Sequence, residues 1–200
     1  MPEPTVARSE LILGGQKSGK TARAESLAAA WLDRSPQHRA VYIATAQAWD
    51  EEMRERIARH RRDRADRVPR METVEEPSAL AQAIGVHSRA DTLIVVDCLT
   101  LWLTGLLMPA VGTPGADPVS GIAQAQEEAR PDAVLAGAVR ACAGPLVLIS
   151  NEIGLGVIPM GHDVRAFVDA LGTLNQQAAA ACERVTLMSA GLALTLKGAA

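Results

Sequence analysis

Leu11-Ile12-Leu13 runs directly into Gly14-Gly15-Gln16-Lys17-Ser18-Gly19-Lys20-Thr21, and this stretch decides the fold. The octapeptide fits the phosphate-loop pattern G-x-x-x-x-G-K-[ST] without a mismatch. A short apolar run with strand character precedes it, and residues 21–32 (TARAESLAAAWL) have the composition of a helix. Strand, glycine-rich loop and helix in that order predict a backbone wrapped closely around a phosphate. Backbone N–H groups and the helix N-terminus then face the anion, Lys20 reaches the β/γ oxygens, and the Thr21 hydroxyl ligates magnesium. The implied ligand is a nucleoside triphosphate.

Further apolar runs follow at 41–44, 71–74, 93–96, 146–149 and 185–188, alternating with helical patterns. Such alternation predicts a mostly parallel sheet flanked by helices, in the manner of phosphate-loop NTPases of the RecA-like kind. Several runs are apolar throughout, as expected where helices cover both faces of a sheet. Only Ala190-Gly191 separates residues 185–188 from the run at 192–196, too little for a crossover helix, so an antiparallel hairpin is expected at the C-terminus. Residues 109–121, rich in Pro and Gly, read as a surface loop. No internal repeat or long linker divides the chain, and residues 1–200 read as a single nucleotide-binding domain.

A net charge of −3 and a pI near 5.8 provide no global field for nucleic acid. No apolar stretch approaches the roughly 20 residues of a membrane span. Residues 1–9 lack the basic and apolar pattern of a signal segment, and Cys98, Cys142 and Cys182 form neither an even disulfide framework nor a metal-binding spacing. These features point to a reducing cytoplasm.

In parallel sheets of this kind ligands bind beyond the carboxyl ends of the strands, so the residues that follow each run carry the chemistry. Asp97 ends the run at 93–96, where phosphate-loop enzymes hold an acid for magnesium. It could equally cap the helix that carries residues 99–107. Thr45, Ala46 and Gln47 follow the run at 41–44, and a helix is expected from about 50 to 64. On it Trp49, Met53, Ile57 and His60 fall at spacings of four, four and three, which places His60 on an inward apolar face.

A histidine on such a face is commonly a hydrogen-bonded core residue. Here arginines surround it, and nearby positive charge disfavours imidazolium, leaving a neutral nitrogen able to attack phosphorus. Glu52 with Arg56 and Glu55 with Arg59 can pair one turn apart, whereas Arg61 and Arg64 lack such an acid and are read as free to hold phosphates. A nucleic-acid patch is the alternative for the Arg-rich stretch at 54–70. Asp50, Glu51, Glu52, Glu55, Asp63, Asp66 and Glu72 nearly balance its charge, and aromatic residues are scarce. Trp31 and Trp102 read as packing residues, and His38, His87 and His162 stand in polar contexts.

Five segments together resemble one family, the bifunctional adenosylcobinamide kinase/adenosylcobinamide-phosphate guanylyltransferases of cobalamin biosynthesis. They are LILGGQKSGKTARAE at 11–25, YIATAQAWDEEMRERIARHRRDR at 42–64, TVEEP at 73–77, VVDCLTLWLTGLL at 95–107 and LISNEIGLGVIP at 148–159. The first is widely shared; RIARHRRDR together with NEIGLGVIP is specific. The resemblance implies phosphorylation of adenosylcobinamide by ATP or GTP, then transfer of GMP from GTP to that phosphate through a GMP adduct on His60.

It further implies that the nucleotide is surrounded by the phosphate loop, Thr45, Ala46, Gln47, Arg61, Arg62, Asp63, Arg64, Glu75 and Asp97. Magnesium would sit on Thr21 and Asp97, Asn151 and Glu152 would lie on the corrinoid side, and the enzyme would be a homotrimer. A carboxylate such as Glu75 could accept from guanine N1–H and the 2-amino group, unless it is a surface acid beside Glu76. Asn151 and Glu152 could instead only brace their loop. Two departures concern substrate contacts: Gly105 stands where the family usually has Asn, and GHDVRAFVD at 161–169 replaces a more basic segment. The contrasting possibility is a regulatory or motor-like phosphate-loop ATPase acting on a macromolecule, in which His60 would have no chemical role.

Overall fold

The computed structural model describes residues 4–48, 50–107 and 131–199. Every apolar run becomes a strand: β1 (Ser9–Gly14), β2 (Arg39–Ala44), β3 (Met71–Glu75), β4 (Thr92–Asp97), β5 (Leu146–Ile149), β6 (Arg184–Ser189) and β7 (Leu192–Lys197). The helices are α1 (Lys20–Asp33), α2 (Glu51–Arg67), α3 (Leu80–His87), α4 (Leu99–Leu107), α5 (Pro131–Ala141) and α6 (His162–Ala181). The loop expected at 109–121 and Trp49, expected to share a helical face with His60, lie outside the described residues.

The strand order is β3-β2-β4-β5-β1-β6-β7, and all neighbours are parallel except β6 and β7. From β1 the chain moves outward to β2 and β3, then returns through β4 and β5 to β6. With crossovers of one hand, that reversal puts α1 on one face and α3 to α6 on the other. Two cores result. Leu11, Ile43, Val96 and Leu148 pack with α3 to α6, while Ile12, Tyr42, Val95 and Ile149 pack with Ala24, Leu27 and Ala28 of α1. Alternate residues of β1, β2, β4 and β5 therefore serve opposite cores, which is why these central runs are apolar throughout.

The expected hairpin is present. Ala190 at φ 50° and Gly191 at φ 80° supply the two positive-φ positions that match the twist of a two-residue turn. Trp102 is buried with its Nε1 donating to Ser78 O at 2.9 Å, and Trp31 stacks on His38 at 3.8 Å. Both tryptophans are packing residues, as read.

α2 departs from its sequence pattern. Asp50 caps it by accepting from Met53 N at 2.7 Å, with Glu51 and Glu52 in the first turn and Arg64 and Arg67 in the last. Its expected inward face is a correction: Met53 and Ile57 are only half-buried and His60 is exposed, while burial starts at Arg64 and continues at Val68. The buried residues lie at the C-terminal end of the helix, so periodicity named residues that share a side but did not show that anything covers it.

Candidate active site

The phosphate loop is shaped by close backbone contacts that only glycine permits at two positions. At Gly14 (φ 152°) a Cβ would lie 2.5 Å from Met188 O and Ser18 Oγ, and Gly19 takes φ 104° as the residue before α1. No side chain caps α1, so its first N–H groups are presented to the loop. Lys20 is buried, and its Nζ donates to Gly14 O at 3.0 Å and Gly15 O at 2.7 Å. Burial pulls its pKa below the usual lysine range, with Cys98 and Asp97 acting against that shift. Gly15, Gln16 and Lys17 are exposed along the loop rim, and Ser18 Oγ is buried with no hydrogen-bond partner among the described residues. The C-terminal hairpin braces this loop: Gly191 N donates to Ser18 O at 2.9 Å.

Asp97 ends β4, and β5 separates it from β1. Its Oδ2 accepts from Thr21 Oγ1 at 3.0 Å and from Tyr42 OH at 2.5 Å. The carboxylate faces the loop and does not cap α4, whose first turn closes from Trp102 N to Cys98 O. Tyr42 was not singled out by sequence because it sits inside an apolar run. A usable signal existed: in register Tyr42 pairs with Val95, so Asp97 stands two residues further along the same face, within reach of a buried phenol that needs an acceptor. Burial first, and then Asp97, raises the Tyr42 pKa well above its ordinary value.

Thr45 is fully buried. Its Oγ1 donates to Cys98 O at 2.7 Å and accepts from Cys98 N at 2.8 Å, while its own N–H donates to Asp97 O at 3.1 Å. The hydroxyl therefore holds the β4–α4 turn in place. Ala46 and Gln47 follow, half-buried. A Cβ on Gly105 would lie 3.3 Å from Gln47 Nε2, so the glycine at this position leaves room for the Gln47 amide.

The arginines after His60 are another correction. Arg61 is not free: its Nη1 donates to Glu75 at 2.9 Å, and both side chains are exposed. Arg64 is 3% exposed, lies over the Tyr42 ring at 3.7 Å and donates to Thr73 Oγ1 through Nε at 3.3 Å and Nη2 at 3.1 Å. Sequence spacing examined acids on the same helix, whereas these partners come from β2 and β3. Arg62 is exposed and Asp63 half-buried. Arg67 completes the attachment of α2 by donating to buried Glu25 of α1 at 2.9 Å.

Beyond β5, Asn151 N donates to Thr100 Oγ1 at 2.9 Å, and Asn151 O accepts from Asn175 Nδ2 at 3.0 Å. Glu152 N donates to Gly14 O at 3.2 Å, and its carboxylate accepts from Gly154 N at 3.0 Å. Both residues brace their loop, and that loop is fastened to the phosphate loop.

A phosphate loop on β1, an acid on β4 with one strand between them, and an antiparallel hairpin behind define a nucleoside-triphosphate-binding protein of the phosphate-loop α/β class. The sequence profile of the family described as cobinamide kinase / cobinamide phosphate guanyltransferase matches residues 10–196. The chain belongs to that family and is an enzyme of it. It is 44% identical over 190 residues to the bifunctional adenosylcobalamin biosynthesis protein CobP of Pseudomonas aeruginosa, covering 94% of this chain and 97% of that protein. It is 34% identical over 189 residues to CobU of Escherichia coli and to CobU of Salmonella typhimurium, each named a bifunctional adenosylcobalamin biosynthesis protein, with 94% of this chain and 98% of each relative aligned. Membership favours the enzyme over the regulatory or motor-like ATPase.

Proposed function

We propose that this enzyme phosphorylates adenosylcobinamide with ATP or GTP and then guanylylates the product through His60. The observation that carries the first step is the Thr21–Asp97 contact at 3.0 Å beside the Lys20 loop. The corrinoid hydroxyl oxygen attacks the γ-phosphorus, the bond to the β–γ bridging oxygen breaks, and the hydroxyl proton is released. Loop amides and Lys20 hold the phosphates in line. Thr21 Oγ1 and Asp97 Oδ2 are hard oxygen donors that suit magnesium, which would neutralise the β/γ charge.

In the second reaction an imidazole nitrogen of His60 attacks the α-phosphorus of GTP, and pyrophosphate leaves as the bond to the α–β bridging oxygen breaks. A phosphate oxygen of the phosphorylated corrinoid then attacks the phosphoramidate, and the P–N electron pair returns to the ring. His60 suits this role because it is exposed on a helix fastened to the Asp97 neighbourhood. By contrast, His38 Nδ1 lies 2.7 Å from Trp31 O, and His162 Nδ1 lies 3.3 Å from Asp163. Glu75 would read guanine, with Arg61 as its ion-pair partner, and Asn151 and Glu152 would lie toward the corrinoid. A homotrimer in a reducing cytoplasm fits the three buried free thiols and the exposed Leu192, Leu194 and Leu196 on edge strand β7.

The test is His60→Ala with GTP labelled on the α-phosphate. The variant keeps adenosylcobinamide phosphorylation and loses GMP transfer, while wild-type protein yields an acid-labile, base-stable adduct on His60. An adduct mapped to His38, His87 or His162 overturns the assignment.

A further inference from the structure

Tyr42 touches both halves of this site with different parts of one side chain. Its hydroxyl bonds the Asp97 carboxylate at 2.5 Å, and its ring carries the Arg64 guanidinium at 3.7 Å. Arg64 is four residues from His60 on α2, about 6 Å along the helix axis. Between residues 51 and 62 no described side chain of α2 is buried. The position of His60 therefore depends on attachments further along: the exposed ion pair of Arg61 with Glu75, Arg64 on Tyr42 and Thr73, Arg67 on Glu25, and buried Val68. Of these, only Arg64 shares a partner with the nucleotide-facing acid. A buried guanidinium on an aromatic face, also hydrogen-bonded to a threonine hydroxyl, is a directional contact that a small tilt of the helix would break.

We propose that Tyr42 and Arg64 are positioning residues that join the two reactions. The hydroxyl of Tyr42 aims Asp97 for both of them, and its ring seats the arginine that places His60 for guanylyl transfer alone. This inference rests on the reading of His60 as the GMP acceptor. The two ends of Tyr42 can be removed separately. Tyr42→Phe keeps the ring and loses the hydroxyl; Arg64→Met keeps the stem volume and loses the guanidinium.

The experiment measures adenosylcobinamide phosphorylation, His60 adduct formation by mass spectrometry, and amide hydrogen exchange across α2 for each variant. Tyr42→Phe lowers both rates by a similar factor and raises the magnesium concentration needed for half-maximal rate, with exchange in α2 unchanged. Arg64→Met slows adduct formation by a factor roughly tenfold larger than any loss of kinase rate, and α2 exchanges faster. Arg64→Lys, which can still sit over the ring, recovers part of the adduct rate. Should Arg64→Met not fold, Thr73→Val removes one partner of the same guanidinium and gives a smaller split in the same direction. Equal loss of both activities in the Arg64 variants, or an undiminished adduct rate, overturns the inference while leaving the His60 assignment intact. Absence of any His60 adduct in wild-type protein overturns that assignment and this inference together.

Discussion

The phosphate loop and α2, which the proposed function joins in one site, are held by opposite constructions. The loop is built from backbone: glycine approaches, N–H groups at the start of α1, and a hairpin turn braced against Ser18. Its Lys20 and the Asp97 that faces it from β4 are shielded by packing and carry hydrogen bonds to neighbouring groups. α2 is a highly charged helix fastened through Arg61, Arg64 and Arg67 to three other elements. Backbone geometry tolerates few substitutions and keeps its shape; side-chain tethers can be tuned one at a time. In the proposed function, the reaction that needs only positioned phosphates falls to the loop, and the one proposed to use a covalent histidine falls to the tethered helix.

The largest effect is expected from breaking the rigid side. Lys20→Ala should lower kinase turnover roughly 100- to 1,000-fold, the scale for losing one preorganised donor to developing charge. Adduct formation should fall with it, because both reactions start from a triphosphate held by the same loop. Steady-state phosphorylation and adduct mass measured side by side check this, and guanylylation that survives would separate the two sites. Asp97→Asn should cost roughly tenfold to 100-fold and shift the magnesium dependence upward, since the amide keeps an acceptor for Thr21 and Tyr42 but loses the charge. Activity intact at ordinary magnesium, with a lower melting temperature, would make the carboxylate a structural group.

Smaller effects sharpen the tethered side. Glu25 is 4% exposed and faces Arg67, so Glu25→Gln keeps the shape, loses the charge and should cost about 1–2 kcal/mol in urea unfolding. The adduct rate should suffer more than the kinase rate, and the reverse order would mean that this tether serves α1.

The smallest effect is a pH dependence. Backbone N–H groups of Ser78 and Ala79 hold the Glu76 carboxyl below its usual range. A depressed folded-state pKa gives stability that is present above the unfolded value near 4.5 and is lost as pH falls through the folded value. Because the group is only half-buried and screened by solvent, Glu76→Gln should cost only about 0.5 kcal/mol at pH 7. That difference should shrink as pH is lowered below 4.5 and through the folded-state value, as chemical denaturation over a descending pH series would show.

By itself the sequence determined the parts that depend on local chemistry: the loop, the seven strands, the hairpin and the acid at the end of β4. These are legible because a phosphate loop needs glycine at set positions, and because strands covered on both faces must be apolar throughout. Family membership was legible for the same reason, through contiguous segments. Tertiary structure alone decided where α2 comes to rest, and with it the exposure of His60, the burial of Arg64 and the part played by Tyr42. Helical periodicity states which residues share a face, but not whether anything covers that face. An arginine's partner can come from any strand that packs within reach. Tyr42, Arg64 and Thr73 meet because β2 lies beside β3 and under the end of α2, an arrangement set by strand order and not by spacing along the chain.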